Sequence, residues 1–221
     1  MKKLYFLLFL ISGWVNAQIV NIPDANLKAR LLEADVTNNI AKDNAGNSIK
    51  IDVNSDNEIQ QSEALLVYRL MNLNYTSSLP ISDFTGLQSF TNLSELYIGL
   101  GNDPTLDLSN MTNLTVLFCD NSNLTSLNVS GCTNLFQLVC ESNQLTSLDL
   151  SGLINLNSIY ADNNQLQSIN LQGLSNLTSL AVGNNLLTTL DVTSCPNLYN
   201  LYASMNQLTS VNLTGLTELH S

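Results

Sequence analysis

The chain has 221 residues and a formal net charge of -11, with 7 Lys+Arg against 18 Asp+Glu and a single histidine. So few cations argue against nucleic-acid and anionic-membrane partners, whose phosphates must be neutralised by Lys and Arg. The lone His220 is the penultimate residue, with little chain around it to position it, which argues against a histidine-dependent triad and a His-containing zinc site, while 44% hydrophobic residues are enough for a sizeable core.

Residues 1–17 read as a secretory signal peptide. Lys2 and Lys3 precede an apolar run over 4–11, and Val15, Asn16 and Ala17 end the stretch, with cleavage expected after Ala17. The run falls well short of the ~20 residues a membrane helix needs. The expectation is therefore an exported protein, secreted or held at the cell surface, with no membrane span in the mature chain. Loss of Lys2 and Lys3 takes the net charge from -11 to -13.

Residues 18–78 hold every remaining basic residue, the last being Arg69. Pro23 and Asp24 stand where a helix begins, and Leu27, Leu31 and Leu32 continue its apolar face. This segment is expected to form an N-terminal cap on the rest of the chain.

Within it, residues 52–63 follow the spacing of a twelve-residue calcium loop. Asp52, Asn54 and Asp56 place oxygen side chains at loop positions 1, 3 and 5. Glu58 offers its carbonyl at position 7, and Glu63 at position 12 is placed for bidentate closure from a helix running towards Met71. Asn57 replaces the usual glycine, but asparagine tolerates the left-handed conformation. The residues just upstream, Ser48 to Ile51, look extended, so the entering helix of a full EF-hand is missing. Calcium is the cofactor this pattern implies; an Asx-rich turn without metal is the alternative.

From residue 79 to 221 the chain is a repeat. Asn-Leu-x-x-Leu/Ile recurs at Asn92, Asn113, Asn134, Asn155, Asn176 and Asn197, each 21 residues after the last. The seventh position is Ile98, Cys119, Cys140, Ala161, Val182 or Ala203. Three residues on, the last four repeats have Asn143, Asn164, Asn185 and Asn206; the second has Ser122 and the first Gly101. Asp103 stands where later repeats have leucine, so the first unit is an irregular coil. Coils with leucines on one side cannot bury them alone and must stack.

Read as L-x-x-L-x-(C/A/V)-x-x-N-x-L, the unit is the leucine-rich-repeat signature. The chain resembles bacterial secreted leucine-rich-repeat proteins, the group that includes the internalins. The resemblance implies an α/β solenoid, right-handed, with short parallel strands on the concave side and a small helical N-terminal cap. It also implies a ladder of the repeated asparagines between coils, and makes the calcium loop more plausible, since internalin caps have EF-hand-like loops.

Cys119 and Cys140 share an inward position in neighbouring coils. Cys132 and Cys195 share another, three coils apart. Three strand steps of ~4.8 Å exceed the reach of a disulfide, so free buried thiols are expected, with Cys119–Cys140 the only bridge the lattice allows.

Strand alternation turns Tyr97, Phe118, Val139, Tyr160, Ala181 and Tyr202 to solvent, beside Gly99, Asp120, Glu141, Asp162, Gly183 and Ser204. Phe136 and Tyr199 are expected to extend the aromatic patch. Tyr97, Phe118, Tyr160 and Tyr202 with Asp120, Glu141 and Asp162 make a candidate protein-binding face. The alternatives are a carbohydrate-binding face with rings stacked on sugars, or a structural adhesin stalk without ligand. An enzymatic reading of the carboxylates lacks an enclosing pocket, and no catalysis is expected. Glu218, Leu219, His220 and Ser221 begin a seventh repeat, so the repeat domain is expected to be incomplete at its C-terminus.

Overall fold

The computed structural model describes residues 18–73, 80–99, 104–217 and 219. The signal-peptide segment, Gly101 and Asp103 of the first repeat, and Glu218, His220 and Ser221 of the seventh lie outside the described residues.

The cap begins with helix α1 (Ala25–Leu32). Asp24 starts it: one carboxylate oxygen accepts the main-chain N–H groups of Asn26 and Leu27, both at 2.8 Å. The other accepts the Ser82 N–H and hydroxyl, both at 2.9 Å, which ties the helix start to the first coil. Leu27 and Leu31 are fully buried beneath it. Strand β1 (Ala41–Lys42), helix α2 (Gln61–Ala64) and strand β2 (Arg69–Leu70) complete the cap. The helix expected to run from Glu63 towards Met71 is thus a single turn. The chain leaves it because Arg69 and Leu70 are drawn into the sheet, pairing in parallel with Glu95 and Leu96 of β3 (Glu95–Tyr97).

The long sheet then gains one three-residue strand per coil. After β3 come β5 (Val116–Phe118), β7 (Gln137–Val139), β8 (Ser158–Tyr160), β9 (Ser179–Ala181) and β11 (Asn200–Tyr202). With β1 antiparallel to β2 at one edge, the sheet has eight strands in the order β1-β2-β3-β5-β7-β8-β9-β11. It therefore begins inside the segment assigned to the cap. On the returning side of the coils, β4 (Thr105–Asp107) pairs with β6 (Ser126–Asn128), and β10 (Thr189–Asp191) with β12 (Ser210–Asn212).

Register follows the 21-residue period. Leu96, Leu117, Leu138, Ile159 and Leu180 stand opposite one another and are all fully buried. Burying a leucine stabilises by about 1.5–3 kcal/mol, but only if the next coil covers it. The stack is thus one continuous core running from Val20 to Leu198.

Two asparagine ladders lock the coils together. Inside, Asn143 donates to the carbonyl of Cys119 at 2.8 Å and accepts the Leu124 N–H at 2.9 Å. Asn164, Asn185 and Asn206 repeat this pattern one coil later each. Outside, the asparagine that opens each repeat donates across to the preceding coil: Asn113 to Thr91, Asn134 to Thr112, Asn155 to Thr133, all at 2.8–2.9 Å. That is the physical reason for the asparagine before each leucine, a role the sequence pattern alone did not assign.

Candidate functional site

The outward face of the long sheet carries rows of side chains set by the registers. In the row through Tyr97, Phe118, Val139, Tyr160, Ala181 and Tyr202 the rings are not continuous. Tyr97 and Phe118 stack with centroids 4.8 Å apart and planes 15° from parallel. Val139 and Ala181 are buried at 6% and 4% exposure, flanked by the larger residues on either side, while Tyr202 is 58% exposed. The expected stripe is therefore a stacked pair, a single ring at Tyr160, and an open ring at Tyr202. At the cap end, Tyr97 donates its hydroxyl to Glu95 at 3.3 Å, and Arg69 pairs with Glu95 at 2.9 Å.

Beside the rings run Asp120, Glu141 and Asp162, one carboxylate per coil and each half-buried. Burial raises Glu141 above its ordinary range, and the charges of Asp120 and Asp162 on either side raise it further. Burial also raises Asp162, against the hydrogen bond from Gly183. The Gly183 N–H reaches the Asp162 carboxylate at 2.7 Å, and the Asn121 amide reaches Asp120 at 2.8 Å. Among the described residues no Lys or Arg forms an ion pair with this row: the three ion pairs join Lys28 to Glu58, Arg30 to Glu33 and Arg69 to Glu95.

Phe136 and Tyr199 do not extend the ring row. They lie just before their strands and line an open groove of about 1050 Å³ along the entry edge of the sheet, which runs from Thr115 and Val116 past Phe136 to Tyr199. Asn157 and Thr178 line it between them, with Asn134 and Asn155 of the outer ladder along its side. Phe136 is 51% and Tyr199 46% exposed. Spacing in the sequence hides this groove, because its wall mixes ladder asparagines and threonines with Val116, Phe136 and Tyr199 and carries no chemical signature.

In the cap, the 52–63 loop wraps tightly. Asp52, buried at 5% exposure, accepts the main-chain N–H groups of Asp56 and Asn57, both at 3.2 Å. Asn57 sits in the left-handed region at φ 64°, as its loop position requires. The donor chemistry suits a hard cation. The oxygens already have partners, however. Glu63 accepts the N–H groups of Val53 at 2.8 Å and Gln60 at 3.0 Å, and closes a capping box on α2. The Gln60 amide donates to both oxygens of Asp56, at 3.2 and 3.0 Å, and the Glu58 carboxylate pairs with Lys28 at 2.7 Å. Among the described residues no three Asp, Glu, His or Cys side chains converge on one point.

No protein-family model matches the chain, and no curated protein matches its sequence. Among solved structures the chain is similar to the functional domain of InlJ from Listeria monocytogenes, which includes a cysteine ladder. The identity is 27%, the TM-score 0.64, and the match covers 91% of this chain and 46% of that one, so the chain spans just under half the length of that domain. It is similar to internalin C2 of the same organism at 26% identity and TM-score 0.60, covering 92% of this chain and 93% of that one. The chain is an internalin-like leucine-rich-repeat protein. A leucine-rich-repeat protein of Leptospira interrogans shares the fold at 24% identity and TM-score 0.56, covering 64% of this chain and 39% of that one.

As an internalin-like protein it is a solenoid module of the protein-interaction class, and no helix among its described residues is long and apolar enough to cross a membrane. Its four cysteines are free and buried. Cys119 and Cys140 lie side by side in neighbouring coils, following the register of Phe118 and Val139. Cys132 donates its thiol to the Leu108 carbonyl at 3.1 Å. Cys119 and Cys140 fill the space that Ile98, Ala161 or Val182 occupies in other coils, and all four thiols act as small core residues.

Proposed function

We propose that this internalin-like module is exported and recognises a protein partner through the outward, concave face of its long sheet. The observation that carries this reading is the pairing of the ring row with the carboxylate row. The ring positions end three-residue strands and the carboxylates stand two residues beyond, in coils locked by two asparagine ladders, so binding need not order them. Rigid aromatic side chains give contact area at low conformational cost. The test is capture of a partner with the mature protein, followed by Tyr97→Ala, Phe118→Ala, Tyr160→Ala and Tyr202→Ala together. The expected result is loss of the captured partner; unchanged capture overturns the use of this face.

A second, separate reading is that the 52–63 loop holds calcium. It is favoured by Asn57 at positive φ and by the Asp52 carboxylate drawn onto the loop's own N–H groups. Asp52, Asn54, Asp56 and Glu63 would supply side-chain oxygens and Glu58 its carbonyl, and the Gln60 amide would have to leave Asp56. Calcium bound there would brace the cap. Calorimetry on the mature protein is expected to show a single calcium site that Asp52→Ala weakens. No heat with the unmodified protein rules the site out, and leaves Gln60 as the loop's internal clasp.

A further inference from the structure

We propose that the partner presents a segment rich in arginine or lysine, which docks along the sheet face with its cations over Asp120, Glu141 and Asp162 and its stems against the neighbouring rings. This rests on the reading that the face recognises a protein and names the chemistry of what it recognises.

The argument begins with where the charges are. No Lys or Arg comes after Arg69 in the sequence, so nothing within the repeats can balance this row. Three of the five cations of the cap are in ion pairs nearby, Lys28 with Glu58, Arg30 with Glu33 and Arg69 with Glu95, while Lys42 and Lys50 bond within the cap to the Gly46 carbonyl and the Ser55 hydroxyl. Neighbouring strands lie ~4.8 Å apart, so three carboxylates on successive coils repel one another at short range. Half-burial aggravates this, because each has lost part of the water that would screen it. The raised pKa of Glu141 expresses both effects, with burial the larger. A fold that keeps such a row uncompensated gains most from a ligand that brings its own positive charge.

The ring row narrows the choice of cation carrier. Tyr160 and Phe118 each stand two positions before a carboxylate of the row, in the same coil as Asp162 and Asp120 respectively. Guanidinium and ammonium groups are attracted to ring faces and carboxylates together, and their alkyl stems cover apolar ring surface. A small metal ion would use the carboxylates but not the rings. A neutral sugar would use the rings and donate hydroxyls to the carboxylates, but would leave their charge unbalanced. A basic peptide segment uses both rows. Gly183 keeps one end of the row open: a Cβ there would stand 2.8 Å from the Asp162 oxygen.

The test compares two charge reversals of equal net charge. Glu141→Lys alters the centre of the row, whereas Asp149→Lys alters an exposed carboxylate on the returning side of the coil. A fluorescent hexa-arginine peptide is titrated against the full mature chain and both variants at 0.15 M salt, with circular dichroism as the check on folding. The expected result is at least tenfold weaker binding for Glu141→Lys and less than a twofold change for Asp149→Lys. Equal weakening by both overturns the proposal, because it indicates diffuse attraction to an acidic protein. Failure of the peptide to bind while maltohexaose binds also overturns it, in favour of a neutral glycan. If Glu141→Lys and Asp149→Lys behave alike but the four ring substitutions abolish partner capture, face recognition stands and only the basic-segment assignment falls. If Glu141→Lys does not fold, Glu141→Gln against Asp149→Asn replaces the pair, with an expected threefold loss for the former alone.

Discussion

The side-chain amide of Asn164 donates to the main-chain carbonyl of Cys140, one coil back, at 3.0 Å. The same side chain accepts the Leu145 N–H at 3.0 Å and donates again to the carbonyl of Ala161 in its own coil at 3.2 Å. A single buried side chain therefore satisfies main-chain groups of two coils at the turn leaving the strand. Asn164→Ala strands the Leu145 N–H, a buried loss of about 1–3 kcal/mol, and leaves the Cys140 carbonyl with the Asn143 amide alone. Chemical denaturation is expected to show a loss of roughly 2 kcal/mol. Asn206→Ala, made in a half-exposed coil, should cost about half as much or less, since water reaches the groups it leaves. Equal losses at the two positions would mean the ladder is not what the stability senses.

The thiols give a second prediction. Burial raises Cys119 well above its ordinary value, with the Cys140 and Asp120 charges adding to it. It pushes Cys140 up to about 12, and Cys132 and Cys195 each up to about 11. The thiolate is the reactive form, and at pH 8 almost none is present. An aromatic disulfide reagent is expected to label no cysteine in the native protein within an hour and all four after denaturation. Rapid native labelling of even one would show that its coil opens.

Much of the fold was legible because its strongest signal is a period. Leucine, asparagine and small apolar residues recurring every 21 positions define the coil, the inward face and the stacking. Strand β2 escaped this reading because its coil lacks the Asn-Leu opening: Val67 and Leu70 occupy the buried positions without the marker. The short α2 was overestimated for the same reason, since helix periodicity after Glu63 runs directly into that strand. At the candidate face, the strand registers line up the ring positions from Tyr97 to Tyr202. Alternation could not show that Val139 and Ala181 would be buried between larger neighbours, nor that Phe136 and Tyr199 would line a separate groove. In the 52–63 loop the same Asx-rich spacing serves two arrangements, because Asn54 and Gln60 amides bond to the Asp56 carboxylate as readily as carboxylates bond to a cation.

The carboxylates of cap and face are expected to respond oppositely to pH. In Asp24, burial, which raises the pKa, is outweighed by the hydrogen bonds from Leu27, Ser82 and Asn26, so the group is held below 3.8. Its stabilising contribution is therefore present above 3.8 and is lost as pH falls through the lower folded value. Glu141 is raised above 4.5, so the folded state favours its protonated form. The cost of its charge is fully felt above the raised value and is relieved as pH falls through it towards 4.5. Thermal melts of Asp24→Asn and Glu141→Gln from about pH 7 to about pH 3 check both signs. Asp24→Asn should melt below the unmodified protein near neutral pH, and Glu141→Gln above it. The Glu141→Gln difference should close first on acidification, and the Asp24→Asn difference only below 3.8.

Gly183 and Asp162 provide the last prediction. The Gly183 N–H donates to an Asp162 oxygen at 2.7 Å, and a Cβ at 183 would lie 2.8 Å from that same oxygen. The clash is with the end of a side chain, so Gly183→Ala is expected to leave the backbone in place and turn the carboxylate away. That breaks a charge-assisted hydrogen bond at a half-exposed site and is expected to cost about 1 kcal/mol. Asp162→Ala removes the same bond by its other partner. The two changes should therefore not add: once Asp162 is alanine, Gly183→Ala should cost close to nothing, giving a coupling of about 1 kcal/mol in a double-mutant cycle. Additive losses would place the cost of the extra methyl elsewhere, against Ser204, whose carbonyl lies 3.4 Å from the same Cβ position.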